Sequence, residues 1–340
     1  MIAPPGAFRV VEPADVDAAT AVHESEPGSR YLGGGTDLLV NLRRGLGTPS
    51  LLIDLRGIAE LDGLACEAGG ARIGAGVTLA RIAADPEFRA RYPALCEAAG
   101  AVAGPAHRNV ATVAGNLCLD TRCNYYDQNY EWRKAIDFCM KKDGKICWVA
   151  TASKRCVAVT ATDCAPALIA LGAKVRLVSR AGERDLPLAE LYRNDGIDHL
   201  ARRPDEILTD VVLPDARSWK SSYWKLRRRG AFDFPVLGVA AAAKILPDGT
   251  VLEARVALGA VSSHPFLTKA GEFLAGKRLT DEVVAEAGRM VASRAKPMDN
   301  ADFDVYWRKV VVAEFVTYAL REIRGDDTNA VRLRLARRTL

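Results

Sequence analysis

The chain has 340 residues, enough for two or three domains, and its 49% hydrophobic and 26% charged composition is that of an ordinary globular protein. A net charge of +5 is mild for this length and argues against nucleic-acid binding, and no apolar run approaches the roughly 18 residues of a membrane span. Met1 to Phe8 have neither the basic nor the apolar region of an export signal, so the sequence-based expectation is a cytoplasmic protein.

Alanines and valines at helical spacing predict a first helix over Asp15–Glu24. A short strand then enters Gly33-Gly34-Gly35, with Thr36 or Asp37 placed to cap the helix that follows. Such a turn exposes backbone N–H groups that suit a diphosphate, and it equally suits a tight turn with positive φ. It is neither a Walker loop nor the dinucleotide fingerprint. Further on, Ser50–Leu55 reads as a buried strand, 69–79 as a strand and hairpin, and Pro86–Ala101 as one helix. Residues 103–116 form a second loop of small residues. Residues 163–173 read as a helix, 174–179 as a strand, 186–192 as a short helix and 206–214 as a strand. A composition break at 214–218 divides the chain into 1–217 and 218–325. The second part reads as strands 221–226, 238–245 and 255–261 with helices 280–294 and 304–323, and 326–340 as a basic, solvated tail. The mixed order predicts an α+β fold without a regular βαβ cadence.

Six of the eight cysteines fall between Cys118 and Cys164. Cys123, Cys139, Cys147 and Cys156 are separated by 15, 7 and 8 residues, without any close Cys-x2-Cys pair. The spacing leaves a metal or cluster site, incidental cysteines and a redox thiol pair all open. Lys134, Lys141, Lys142, Lys145, Lys154 and Arg155 are interleaved, and positive charge favours thiolates. Trp132, Phe138 and Trp148 are candidates to shield such a site from water. Cys118 and Cys164 read as small buried residues, and His107 and His199 as loop or surface residues.

Four motifs carry a resemblance. They are Tyr31-Leu-Gly-Gly-Gly-Thr-Asp-Leu38, Arg108-Asn-Val-Ala-Thr-Val-Ala-Gly-Asn-Leu117, Thr162-Asp-Cys-Ala-Pro-Ala-Leu-Ile-Ala-Leu-Gly-Ala173 and Tyr223-Trp-Lys-Leu-Arg-Arg-Arg-Gly-Ala-Phe-Asp-Phe-Pro235. In collinear order they resemble the FAD-binding medium subunit of the molybdenum hydroxylases, the xanthine dehydrogenase and carbon monoxide dehydrogenase family. The resemblance implies a two-part FAD-binding domain of the PCMH/vanillyl-alcohol-oxidase type, then a C-terminal domain of three antiparallel strands with helices. It implies that Tyr31, Leu32, Gly33, Gly34, Gly35, Thr36 and Asp37 hold the FAD diphosphate. Ala111, Thr112, Gly115 and Asn116, with Cys118 beside them, would make the second phosphate and ribityl contacts. Asp163 would bond ribityl or ribose hydroxyls, Leu208 and Lys225 would cover the isoalloxazine, and Val102 would lie near the adenine. Position 114 is alanine where the family often has glycine.

No catalytic residue is implied on this chain. A molybdopterin-binding large subunit and a 2Fe-2S small subunit would carry the rest, in a dimer of heterotrimers. One departure is large: 47 positions separate Asn116 from Asp163, a step that is short in the family. The inserted residues 119–160 look like those of the β subunit of 4-hydroxybenzoyl-CoA reductase. That likeness implies a 4Fe-4S cluster on Cys123, Cys139, Cys147 and Cys156, lying outside the FAD domain and towards solvent. Electrons would then run from reduced ferredoxin through the cluster and FAD to the 2Fe-2S and molybdenum centres, for reductive dehydroxylation to benzoyl-CoA. The rival readings are an oxidative hydroxylase subunit with a structural cluster and a zinc-stabilised, non-redox nucleotide-binding subunit.

Overall fold

Three short parallel strands open the chain: β1 (Arg9–Val11), β2 (Arg30–Leu32) and β3 (Leu51–Asp54), in the order β1-β3-β2. They belong to a computed structural model that describes residues 7–337. Every residue of β3 is buried, as a parallel strand covered on both faces requires. The first helix, Val16–Ser25, starts where Asp15 accepts the Ala18 N–H at 2.7 Å. The C-terminal end of β2 delivers the chain into Gly33–Asp37, and the helix Leu38–Arg43 follows.

A second sheet is wholly antiparallel. It comprises β4 (Leu64–Glu67), β5 (Gly70–Gly74), β6 (Lys174–Ser179), β7 (Gly182–Pro187) and β8 (Ile207–Pro214), in the order β4-β5-β8-β6-β7. Everything from 75 to 173 leaves this sheet after β5 and returns to it at β6. The helix expected over Pro86–Ala101 is two helices, Pro86–Arg91 and Pro93–Ala101. Pro93 has no N–H and disfavours helical geometry at Tyr92, which sits at φ −133 and ψ 54.

The C-terminal sheet joins β9 (Lys220–Leu226), β10 (Leu237–Ile245) and β11 (Val251–Gly259) as expected, and a two-residue β12 (Phe266–Leu267) extends it. The helices Asp281–Arg294 and Val305–Arg324 cover one face, with Trp224, Val312 and Phe315 in their shared core. Gly325, at φ 110, ends the longer helix in the left-handed conformation that glycine adopts without strain. Arg308, in the first turn of that helix, is fully buried and donates to the carbonyls of Met298, Val236 and Ala260 at 3.0, 3.0 and 2.8 Å.

The basic tail is not the solvated end expected. Residues Asn329–Arg337 form a helix, and Arg332 lies 4.2 Å over the Trp224 ring while bonding Glu322 and approaching Glu97 at 3.2 Å. A guanidinium can satisfy two carboxylates and stack at once, which charge counting along the sequence does not reveal. Residues 338–340 lie outside the described part.

The insertion 119–160 holds one helix, Tyr130–Ala135, and is otherwise turns. Reciprocal backbone bonds of 2.8 Å between Arg122 and Val159 close its neck. Asn300 of the C-terminal domain grips it on two sides, donating to Val157 O at 2.5 Å and accepting from Asn124 N at 3.0 Å. The insertion therefore packs on both domains instead of standing away from them.

Arg308→Ala would leave the buried carbonyls of Val236 and Ala260 unpaired, a loss of about 2 kcal/mol or more. Denaturant unfolding of the purified chain is expected to show that loss, while the exposed Arg289→Ala stays within about 0.5 kcal/mol of the parent.

Candidate functional site

The glycine loop and the second loop are pressed together. A Cβ on Gly34 would lie 1.8 Å from the Val110 carbonyl oxygen, and one on Gly33 would lie 2.9 Å from Thr112 Oγ1. Gly35 has φ 72. Close approach accounts for two of the glycines and backbone conformation for the third. The N–H groups of Gly34, Gly35 and Thr36 donate to no protein acceptor among the described residues, although all three residues are half-buried. Such a row of free donors in a glycine turn fits a diphosphate.

Asp37 stands at the helix N-cap position but makes no capping bond. Its carboxylate accepts the Asp120 N–H at 3.1 Å and Asn41 Nδ2 at 3.3 Å, and it ion-pairs with Arg122. The glycine loop is thus tied to the first residues of the insertion. The second loop satisfies itself: Thr112 Oγ1 accepts the Gly115 N–H at 3.1 Å, and Ala111 O accepts from Leu79 N at 2.9 Å. Asn116 Oδ1 accepts from Thr162 Oγ1 at 2.7 Å and Cys164 N at 3.1 Å, so the two ends of the insertion meet. That leaves Asn116 Nδ2 without a protein partner among the described residues.

Asp163 lies in this junction, its side chain 3% exposed. It accepts Tyr223 Oη at 2.7 Å and Lys225 Nζ at 2.9 Å, and Lys225 also donates to Ala101 O at 3.0 Å. Tyr223 and Lys225 share a face of β9 because alternate residues of a strand point the same way. Burial pulls the Lys225 pKa down, with Asp163 opposing it, and pushes the Tyr223 pKa well up. The carbonyls of residues 101–103 form a cation-lined edge: Arg227 donates to Ala101 O at 3.0 Å, and Arg108 to Val102 O and Ala103 O at 2.8 and 3.0 Å. Val102 is half-buried there and Ala103 has φ 40. Leu208 is buried, paired with Leu177 beside a bulge in β8. Tyr31 stacks 5.1 Å from His23, and its hydroxyl donates to Asp205 O at 3.2 Å. Leu32 is buried and Cys118 is half-buried with its thiol pKa raised by burial. His107 packs edge-on to Phe232 and His199 faces Leu119 O, but His107 lies in the short helix Pro105–Arg108, and the stretch 103–116 expected as a loop also runs into the helix Val113–Leu117.

Residues 6–216 match the family described as the FAD binding domain in molybdopterin dehydrogenase, and 221–323 match the CO dehydrogenase flavoprotein C-terminal domain. The chain is a FAD-binding medium subunit of the molybdenum hydroxylase family. It is 36% identical over 256 residues to the aldehyde oxidoreductase FAD-binding subunit PaoB of Escherichia coli K12, spanning 72% of this chain and 79% of that one. It is 28% identical to the nicotinate dehydrogenase FAD-subunit of Eubacterium barkeri over 82% of each. The solved carbon monoxide dehydrogenase from Hydrogenophaga pseudoflava shares the fold, with a TM-score of 0.76 over 94% of this chain and 98% of that one at 23% identity.

The four cysteines of this medium subunit's insertion converge. Cys123, Cys139, Cys147 and Cys156 are 4–7% exposed and line one narrow cavity with Tyr126, Lys141 and Trp148. The expectation of a solvent-facing site is corrected, because Gly196 of the FAD domain packs directly on Cys156: its N–H donates to Cys156 O at 2.9 Å. Burial pushes the Cys123 thiol up to about 12 and the Cys156 thiol up to about 11. No three His, Cys, Asp or Glu side chains among the described residues converge closely enough to hold a single metal ion.

Sequence reasoning missed Asp120, Arg122 and Tyr223, and took Lys141 only as one of several interleaved cations without its partners. Tyr223 had a local signal, two residues from Lys225 on a strand. The others are polar partners across 20 to 83 residues of chain, with no local signature.

Gly34→Ala is expected to force the two loops apart and to lower the flavin-to-protein absorbance ratio of the purified chain. Gly69→Ala, with nothing within 4 Å of its Cβ, should leave that ratio unchanged. Lys225→Met strands the buried Asp163 carboxylate and should cost about 3–5 kcal/mol in denaturant unfolding. Tyr223→Phe removes one neutral donor and should cost about 1–3 kcal/mol.

Proposed function

We propose that this chain is the flavin-carrying electron-transfer subunit of an oxidative molybdenum hydroxylase, and that Cys123, Cys139, Cys147 and Cys156 hold a 4Fe-4S cluster. It would work with a molybdopterin-binding large subunit and a 2Fe-2S small subunit, where the substrate chemistry takes place. The observation that carries the reading is the convergence of four buried thiols on one cavity, in an insertion bonded directly to the glycine loop. Bound FAD and cluster would supply redox chemistry, so the chain would pass electrons and not transform substrate.

The residues of this chain have narrower tasks. The free N–H groups of Gly34, Gly35 and Thr36 would receive the diphosphate, with Tyr31, Leu32, Gly33 and Asp37 shaping that loop. Thr112 and Gly115 hold the second loop rigid through their mutual bond, and Asn116 keeps Nδ2 available for a ribityl or phosphate oxygen. Ala111 and Cys118 line the same turn, and Val102 the cation-lined edge beside it. Lys225 would hold the Asp163 carboxylate in place for a ligand hydroxyl, more than act as a free cation over the isoalloxazine. Leu208 would supply an apolar wall from the bulged strand.

The relatives reported above are named as an aldehyde oxidoreductase and a nicotinate dehydrogenase, which favours the oxidative direction. The insertion's likeness to 4-hydroxybenzoyl-CoA reductase suggested the reverse, with ferredoxin as donor. The same cofactor order serves either direction, so the direction is measured, not read from geometry. In the assembled complex, an aldehyde or N-heterocyclic substrate should bleach the flavin under anaerobic conditions. Bleaching only by a low-potential donor, with turnover of a phenolic CoA thioester, would establish the reductive direction instead.

Anaerobically purified chain is expected to hold about four irons with matching acid-labile sulfide. Cys139→Ser should lose them and keep its FAD. Stoichiometric zinc, or iron content unchanged by Cys139→Ser, would sink the cluster assignment.

A further inference from the structure

Seven basic residues lie between Cys123 and Cys156, and the fold buries two of them. Lys134, Lys145, Lys154 and Arg155 are exposed, and Lys142 pairs with its neighbour Asp143 at 2.9 Å. Arg133 is buried and donates to Arg44 O at 3.4 Å, but of the seven only Lys141, its side chain 6% exposed, lines the cavity shared by the four cysteines. Its ammonium donates to Asp120 Oδ1 at 2.7 Å, Gly196 O at 2.9 Å and Thr121 O at 3.2 Å, contacts Thr121 Oγ1, and lies 4.4 Å over the Tyr126 ring.

Those acceptors are themselves fastened to both neighbouring sites. Asp120 accepts Tyr126 Oη at 2.8 Å, and its N–H reaches Asp37 of the glycine loop at 3.1 Å. Gly196 packs so tightly on Cys156 that a Cβ there would lie 2.7 Å from the sulfur. Burying an ammonium costs several kcal/mol unless charges nearby offset it, and one carboxylate shared with a tyrosine is a thin offset. Thiolates holding a cluster in the adjoining cavity would supply the missing negative charge.

We propose that Lys141 is the internal counter-cation of the four-cysteine site: it positions the thiolate-bearing walls and sets the reduction potential of the group they hold. The inference rests on the cluster reading above. Each electron added to a cluster adds one negative charge, and a nearby buried cation stabilises that form, raising the potential. Removing the cation also leaves Asp120 uncompensated, which acts in the same direction.

The test compares Lys141→Gln, Lys141→Arg and the exposed Lys145→Gln in the full chain, by iron and sulfide content, flavin content and an EPR-monitored redox titration. Lys141→Gln is expected to shift the cluster midpoint to more negative potential, or to lose iron while retaining FAD. Lys141→Arg should recover most of the iron and the potential, and Lys145→Gln should match the parent. If the cluster is present but Lys141→Gln titrates with Lys145→Gln, the inference fails while the cluster reading stands. If Lys141→Gln and Lys141→Arg lose iron equally, the role is one of shape and not charge, and the inference also fails. If the parent chain holds no iron, the cluster reading falls first.

Discussion

The buried carboxylate of Asp163 is the contact on which the arrangement depends. It closes the long insertion, because Asp163 follows Thr162 and precedes Cys164, both bonded to Asn116. Through Tyr223 and Lys225 it fastens the FAD-binding domain to the edge strand of the C-terminal sheet. Lys225 extends the same contact to Ala101, at the end of a helix whose Glu97 accepts the Tyr223 N–H at 2.7 Å. A charge pair so enclosed stabilises little by itself, since desolvation offsets its attraction. Its consequence is specificity, because any shift of one domain against the other strands a charge out of water.

Around that junction the chain sets two ligand-ready surfaces side by side. One is a glycine loop whose N–H groups point at no protein acceptor, pressed against a second loop that satisfies its own donors. The other is a thiol-lined cavity in the insertion. They share Asp120, whose backbone bonds the glycine loop and whose carboxylate holds the lysine beside the thiols.

Much of the fold was legible because its signals are local. The helical spacing over Val16–Ser25 and the strands of the C-terminal sheet need only a few neighbouring residues to take effect. The glycine loop and the Asp163 helix start were legible as motifs, and the structure sets each against the 110–116 segment, the first at Val110 and Thr112 and the second at Asn116. Where the reading failed, the deciding partner was distant. Asp37 read as a helix cap and instead holds Asp120 and Arg122. The tail read as solvated, yet Arg332 found Glu322, Glu97 and the face of Trp224. The break at Pro93 was local and still missed, because the apolar pattern runs through it.

The amino-acid sequence by itself determined that two glycine-rich loops and an Asp-capped helix start recur in the order of a flavin domain. It also determined that four cysteines were threaded between two of these elements. Both follow from residue type and spacing, which act over short range. Only the tertiary structure decided that the four cysteines line one cavity, that Lys141 and not its six basic neighbours joins them there, and that Asp163 is held by Lys225. Those outcomes depend on which polar groups meet after burial, where each charge must find a partner and residues far apart in the chain supply it.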